Sequence, residues 1–174
     1  MFNITEAMAL AWKKWNEPVA TPADIASLEG SLDIKLPAEY VEFVTRYGFV
    51  LFGRDEPDRR CLFSYVIEEN GQRTTRQCEI RFLFDADKLV PRYRYMTTAD
   101  DPDDENRPAI PQGYLPVGSD AGHSAILLDI AANPGQVWFW PFNDDRWGLG
   151  DNVALGFVAD NFEDFINSLR PSPL

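Results

Sequence analysis

The turn signal Asn70-Gly71 is the feature that most restricts the fold of this chain. It separates two runs in which apolar side chains alternate, and Asn-Gly between such runs is the strongest short-range signal for a two-residue β-hairpin. A two-residue turn fixes the register, so that the numbers of paired residues add up to 141. The register predicts, among others, these two pairs: Cys61 with Ile80, and Phe63 with Cys78.

The same register determines what the two cysteines, Cys61 and Cys78, can do. Their sulfurs should be diagonal neighbours roughly 7–8 Å apart, which is too far for an unstrained disulfide. We therefore expect two buried free thiols. Together with His123, which is the only histidine, they cannot complete a closed zinc site without carboxylates. We predict no metal centre and no cofactor.

The segment 36–48 predicts a short packed helix. Pro37 suits the first helical position, and Gly48 can adopt the positive φ that ends a helix. The apolar stripe between them has the i, i+3, i+4, i+7 spacing and consists of Tyr40, Phe43, Val44 and Tyr47.

Capping signals predict three more helices. The first should span about 4–15, with Asn3 and Glu6 as a capping box; the second should begin at Thr21, and the last near Asp160 with Glu163. A short helix or turn is expected at 85–95, and a long polar loop at 98–114.

Two near-continuous apolar runs, 125–130 and 136–140, predict central strands that are covered on both faces. We expect Trp138 and Trp140 to point to opposite faces of the second strand. Helices first, then strands, then a closing helix are typical of an α+β fold. We predict one domain over 1–174, in which a mostly antiparallel central sheet is packed by N-terminal helices and one C-terminal helix.

Five phrases of this sequence resemble the SUKH superfamily, whose bacterial members are mostly immunity proteins against secreted toxins. They occur in the family's order at 21–29 (TPADIASLE), 34–40 (IKLPAEY), 115–120 (LPVGSD), 135–138 (GQVW) and 161–165 (NFEDF). The chain departs from the family pattern at Gly48-Phe49, where a glycine pair is common, and at 121–123, where a Gly-rich run is common. The resemblance implies the α+β architecture and binding to a toxin.

The charge of the chain is concentrated in its second part. The formal net charge is −12; residues 1–95 carry 13 basic and 15 acidic side chains, whereas residues 96–174 carry 3 and 13. Such a field repels nucleic acid and anionic membranes and attracts basic partners. It can equally serve solubility alone. The N-terminus has no basic region followed by an apolar run, so we expect no signal peptide and a cytoplasmic protein.

Acidic and aromatic side chains in the second part are the candidate partner-binding residues. The dense cluster at 100–105 lacks the spacing of a calcium-binding EF-hand loop. Its alternatives are a solvated loop, adventitious metal binding, or an acidic lip that meets Lys and Arg on a partner. Trp147 is either an interface anchor or a core residue. The candidates are Asp100, Asp101, Asp103, Asp104, Glu105, Asp120, Asp144, Asp145 and Trp147, with Phe142 as a further anchor.

A hydrolase reading of 118–124 has little support. Ser119, Asp120 and His123 lie close in sequence, but triad members come from separate segments, and no Gly-x-Ser-x-Gly phrase is present. A tight turn in which Ser119 and Asp120 cap backbone groups explains the same residues. We therefore predict no catalytic residues and no enzymatic activity.

The resulting hypothesis is an immunity protein that neutralises a cognate, basic bacterial toxin, possibly a nuclease, through an acidic surface. The alternative is a non-enzymatic scaffold or regulatory domain, because SUKH-like domains also occur in eukaryotic cell-wall regulators. The sequence identifies neither the toxin nor the oligomeric state.

Overall fold

A computed structural model of the chain describes Phe2 and residues 12–14, 19–52, 61–69, 71–98, 110–120, 122–142 and 155–171. Within these residues the fold is α+β, as predicted, with four helices and ten strands in one antiparallel sheet. The helices are α1 (Pro22–Leu32), α2 (Ala38–Tyr47), α3 (Ala86–Thr97) and α4 (Phe162–Ser168). The strands are β1 (Trp12–Lys14), β2 (Val50–Phe52), β3 (Cys61–Glu69), β4 (Gln72–Ile80), β5 (Phe82–Leu83), β6 (Tyr114–Ser119), β7 (Ala125–Asp129), β8 (Val137–Trp140), β9 (Gly156–Ala159) and β10 (Arg170–Pro171).

Local capping chemistry sets the helix ends. Thr21 and Asp24 form a reciprocal capping box at the start of α1, because each side chain accepts the other residue's backbone N–H. Gly48 ends α2 with φ 61°, a conformation that glycine adopts without steric cost. The start of α4 differs by one residue from the prediction, since Asn161 caps it and Asp164 is its partner at 2.8 Å.

The predicted hairpin is confirmed residue by residue. Cys61 lies opposite Ile80, and Phe63 lies opposite Cys78. Both cysteines are free thiols, as the diagonal spacing requires. Cys61 is buried as predicted, whereas Cys78 is only half-buried. Burial raises the pKa of Cys61 to about 12 and that of Cys78 to about 11, so both stay protonated at neutral pH.

β4 and β5 follow each other almost without a break. β3 pairs with β4, and β2 pairs with β5 along the same edge. Leu51 pairs with Phe82, and the Phe52 N–H donates to the Arg81 carbonyl at 3.0 Å, while Cys61 resumes the pairing at Ile80. Residues 53–60 are therefore an insertion in one long hairpin. The sequence pattern shows only the inner part of this hairpin, because the insertion separates its two halves.

The strand pairings form a closed ring. β4 pairs with β3, and β5, which continues β4 after Arg81, pairs with β6. The pairing then runs through β7, β8 and β9 back to β3. Every strand of this ring contributes side chains to one main core, which also receives the buried faces of the four helices. Its aromatic centre includes Phe162, whose ring lies 5.0 Å from Tyr40 and 5.1 Å from Phe43.

Three predictions for other segments need correction. Residues 12–14 of the predicted first helix form β1, which pairs with β2; residues 3–11 and 15 lie outside the described part. Trp138 and Trp140 lie on the same face of β8, because side chains two residues apart in a strand point the same way. The predicted loop at 98–114 contains the buried Ile110 and ends in the first residue of β6; residues 99–109 lie outside the described part.

Candidate protein-binding surface

The two faces of β7 are both buried, as predicted for 125–130. Ile126 and Leu128 belong to the main core, whereas Ala125 and Leu127 belong to a separate small group. We call this group the second cluster. Its buried members are Met96, Ile110, Ala125, Leu127 and Trp140, and Tyr114, Trp138 and Leu155 pack partly buried against it.

The second cluster joins the flanks of both acidic segments of the chain. Met96, near the end of α3, and Ile110 flank residues 99–109, and the Ile110 N–H donates to the Met96 carbonyl at 3.1 Å. Trp140 and Leu155 flank residues 143–154. The flanks of two segments that are separate in sequence therefore meet at one point of the fold. Nothing in the sequence pattern brings these flanks together.

Most of the predicted site residues lie within those two segments. The structure leaves the following candidates outside its described residues: Asp100, Asp101, Asp103, Asp104, Glu105, Asp144, Asp145 and Trp147. Their role as partner contacts stays a prediction. The described structure shows where the chain enters and leaves each segment.

Asp120 is the one predicted acidic site residue that the structure describes. Its Oδ1 accepts the backbone N–H groups of Gly122 at 2.8 Å and Ser124 at 3.1 Å. These bonds hold the turn that joins β6 to β7. Ser119 Oγ donates to the Asp120 carbonyl at 2.9 Å. Both side chains thus cap backbone groups, as the turn interpretation of 118–124 predicts.

Phe142 lies next to this turn and is 45% exposed. Its N–H donates to the buried Ser124 Oγ at 2.9 Å, and its ring lies 5.2 Å from that of His123 and 5.9 Å from that of Trp140. The edge-on contacts hold an exposed aromatic ring in place at the point where the chain enters residues 143–154. A positioned aromatic side chain of this kind is a suitable interface anchor.

Asp129 is a structural carboxylate that sequence reasoning missed. It is buried at the end of β7, where Oδ1 accepts the Ala131 N–H at 2.8 Å and Oδ2 accepts the Asn133 N–H at 3.0 Å. It holds the Asn133-Pro134-Gly135 turn that precedes β8. An Asp at the end of an apolar run, whose carboxylate can accept the backbone N–H two residues further on, is the signal that could have found it.

The surface of α3 has different chemistry. A shallow groove there of about 470 Å³ is lined by two cations, two aromatic rings, one proline and one carboxylate, that of Asp87. The Arg92 guanidinium lies 4.5 Å from the centre of the Phe84 ring, and burial lowers the pKa of Arg92. Tyr95 is 59% exposed beside it. This groove lacks the acidic character of the second part of the chain.

The described part of the chain contains no group of three or more His, Cys, Asp and Glu side chains placed to hold a metal ion. No helix within it is long and apolar enough to cross a membrane.

The fold is that of an α+β protein whose candidate site is a surface rather than an enclosed pocket. The family model of the SMI1 / KNR4 family (SUKH-1) matches residues 19–168. The chain therefore belongs to this family, which confirms the resemblance found in its sequence. A search of curated proteins found no match.

Proposed function

We propose that this chain is an immunity protein that binds a cognate bacterial toxin and blocks it by protein–protein contact, without catalysis. Membership of the SUKH-1 family supports a role of this kind. The observation that carries the proposal is the second cluster, because the residues that flank both acidic segments meet in it.

The proposed surface combines long-range attraction with short-range anchoring. Residues 96–174 carry a net charge of −10, which accelerates encounter with a basic toxin and orients it. Phe142, held by Ser124 and His123, supplies apolar area that is desolvated on contact. Aromatic anchors of this type contribute much of the affinity at protein interfaces, whereas rim charges mainly affect the association rate.

The arrangement of Ser119, Asp120 and His123 supports binding over catalysis. Ser119 donates to a backbone carbonyl, Asp120 accepts two backbone N–H groups, and the His123 ring packs against Phe142. A nucleophile needs a base within hydrogen-bond reach and a third group that orients the base. These three residues instead perform structural roles in one turn.

The first experiment is capture of partners from the source cells by the tagged full chain, with washes at low and high salt. We expect one basic protein that is released at high salt, kills cells when it is expressed alone, and is harmless when this chain is co-expressed. A partner without toxicity that is retained at both salt concentrations would contradict the immunity role and favour the scaffold alternative.

A matched pair of charge variants then tests the acidic surface. The first variant neutralises the 100–105 cluster with Asp100→Asn, Asp101→Asn, Asp103→Asn, Asp104→Asn and Glu105→Gln. The control removes the same charge from exposed carboxylates elsewhere, namely Asp33→Asn, Glu42→Gln, Glu68→Gln, Asp87→Asn and Asp160→Asn. At low salt we expect the association rate to fall about tenfold in the first variant and about twofold or less in the control. Equal losses would show that net charge alone matters.

A further inference from the structure

Within the described part of the chain, one edge of β4 is open along most of its length. All six side chains from Gln72 to Gln77 are exposed, which means that neither sheet face is covered there. Within the described residues, β3 is the only strand that pairs with β4. A strand of nine residues with an uncovered edge presents unpaired backbone groups to other chains.

The hairpin register shows which backbone groups point to that edge. Glu69 and Gln72 close the two-residue turn, and such closing residues exchange hydrogen bonds with each other. The backbone N–H and carbonyl groups of the even-numbered residues of β4 therefore point towards β3. The N–H and carbonyl groups of Arg73, Thr75 and Gln77 point outward.

The next strand in the sheet confirms this direction. Arg81 has the same parity as Gln77, and its N–H donates outward to the Ser119 carbonyl of β6 at 2.9 Å. β6 ends at Ser119 and the chain turns away at Asp120. A further strand beside β4 would therefore lie in line with β6 and continue the sheet.

The charges along this edge favour one kind of occupant. Arg73 and Arg76 are exposed on opposite faces of β4, and Glu68 of β3 lies directly opposite Arg73 on the paired edge. Opposite charges on directly paired residues stabilise neighbouring strands, and like charges destabilise them. A segment with carboxylates at two positions three residues apart would place one opposite each arginine.

Self-pairing fits this edge less well. Regular antiparallel pairing of two copies about Thr75 would place the two Arg76 side chains as diagonal neighbours on one face. Arginines at an open edge commonly oppose such edge-to-edge association.

We propose that the edge of β4 binds an extended, carboxylate-bearing segment of another polypeptide, which adds to the sheet as a further strand. Backbone hydrogen bonds to Arg73, Thr75 and Gln77 would hold the segment, and Arg73 and Arg76 would select its charge. This mode of recognition is β-strand addition. The site is separate from the acidic surface, and it does not depend on the proposed immunity function.

The test uses the full chain and two synthetic nine-residue Thr/Val peptides with blocked ends. One carries Glu at the two positions opposite the arginines, and the other carries Lys there. NMR titration and amide hydrogen exchange are the measurements. We expect the Glu peptide to protect the amides of Arg73, Thr75 and Gln77, but to leave Gln72 and Thr74, which already pair with β3, unchanged. The Lys peptide should bind at least about tenfold more weakly.

Two variants keep the test decisive. The double variant Arg73→Glu and Arg76→Glu should reverse the preference, so that the Lys peptide binds better. Thr75→Pro removes an outward N–H without removing a bond to β3, and it should abolish binding while circular dichroism stays unchanged. Protection elsewhere, no protection by either peptide, or equal binding of both peptides would overturn the proposal. If the chain self-associates in the absence of peptide, and Thr75→Pro abolishes this association, the occupant of the edge is a second copy. That result would also overturn the proposal.

Discussion

β7 divides the apolar interior into two regions that differ in size and construction. The main core on one face is lined by every strand of the closed ring and by four helices, and its rings pack edge-to-face. The second cluster on the other face has five buried members. Two of these, Met96 and Ile110, are held together by one backbone hydrogen bond at 3.1 Å.

The difference separates two tasks. The main core joins many elements through many contacts, so it determines the stability of the fold. The second cluster contains few residues, but they include the flanks of both acidic segments. We therefore expect changes in the main core to act on global unfolding, and changes in the second cluster to act also on local opening near the proposed surface.

The largest effect is expected from Phe162→Ala in the main core. Phe162 is fully buried between Tyr40, Phe43 and Phe165. The cavity should lower the free energy of unfolding by about 3–5 kcal/mol, measured by urea denaturation with circular dichroism. The control is Phe142→Ala, which should change it by less than about 0.5 kcal/mol, because Phe142 is an exposed residue. If both variants lose a similar free energy of unfolding, the main core does not determine the stability of the fold.

The adjacent leucines Leu127 and Leu128 give a matched comparison of the two regions, since both are fully buried on opposite faces of β7. Each change to alanine should cost about 2–5 kcal/mol of unfolding free energy, with the larger loss for Leu128→Ala. Only Leu127→Ala should selectively accelerate hydrogen exchange of the Ile110 amide, beyond what global destabilisation explains. If Leu128→Ala has the same selective effect, the two regions are not separate cooperative units.

The smallest effect is expected at the surface of the helix-covered side, where Glu29 accepts hydrogen bonds from Lys35 Nζ at 2.7 Å and the Leu36 N–H at 2.9 Å. These bonds lower the pKa of Glu29. A lowered pKa in the folded state stabilises the fold above the carboxyl's ordinary pKa, and this stability is lost as the pH falls through the folded value. Glu29→Gln should therefore cost no more than about 0.5 kcal/mol at pH 7, and less at pH 3, which lies below the ordinary pKa of the carboxyl. Denaturation midpoints at both pH values measure this, and a pH-independent difference would exclude ionisation as the cause.

Short-range features were predictable because they depend on neighbouring residues. The Asn70-Gly71 turn determines every pair of the β3–β4 hairpin, and Thr21 with Asp24 determines the start of α1. The first helix was predicted on the same grounds, yet residues 12–14 form a strand. Capping and periodicity are weak when a distant strand such as β2 offers backbone hydrogen bonds instead.

The candidate site was predictable in composition but not in position. The sequence alone determined the acidic second part, the start of α1 and the hairpin register, because these follow from residue chemistry and local geometry. Only the tertiary structure decided that the flanks of 99–109 and 143–154 meet at one cluster, and that β6 stops at Ser119. Among the described residues, the edge of β4 beyond that point carries no strand. Both results depend on pairings between residues far apart in the chain. Such pairings are selected by the combined burial of the whole core and not by any single segment.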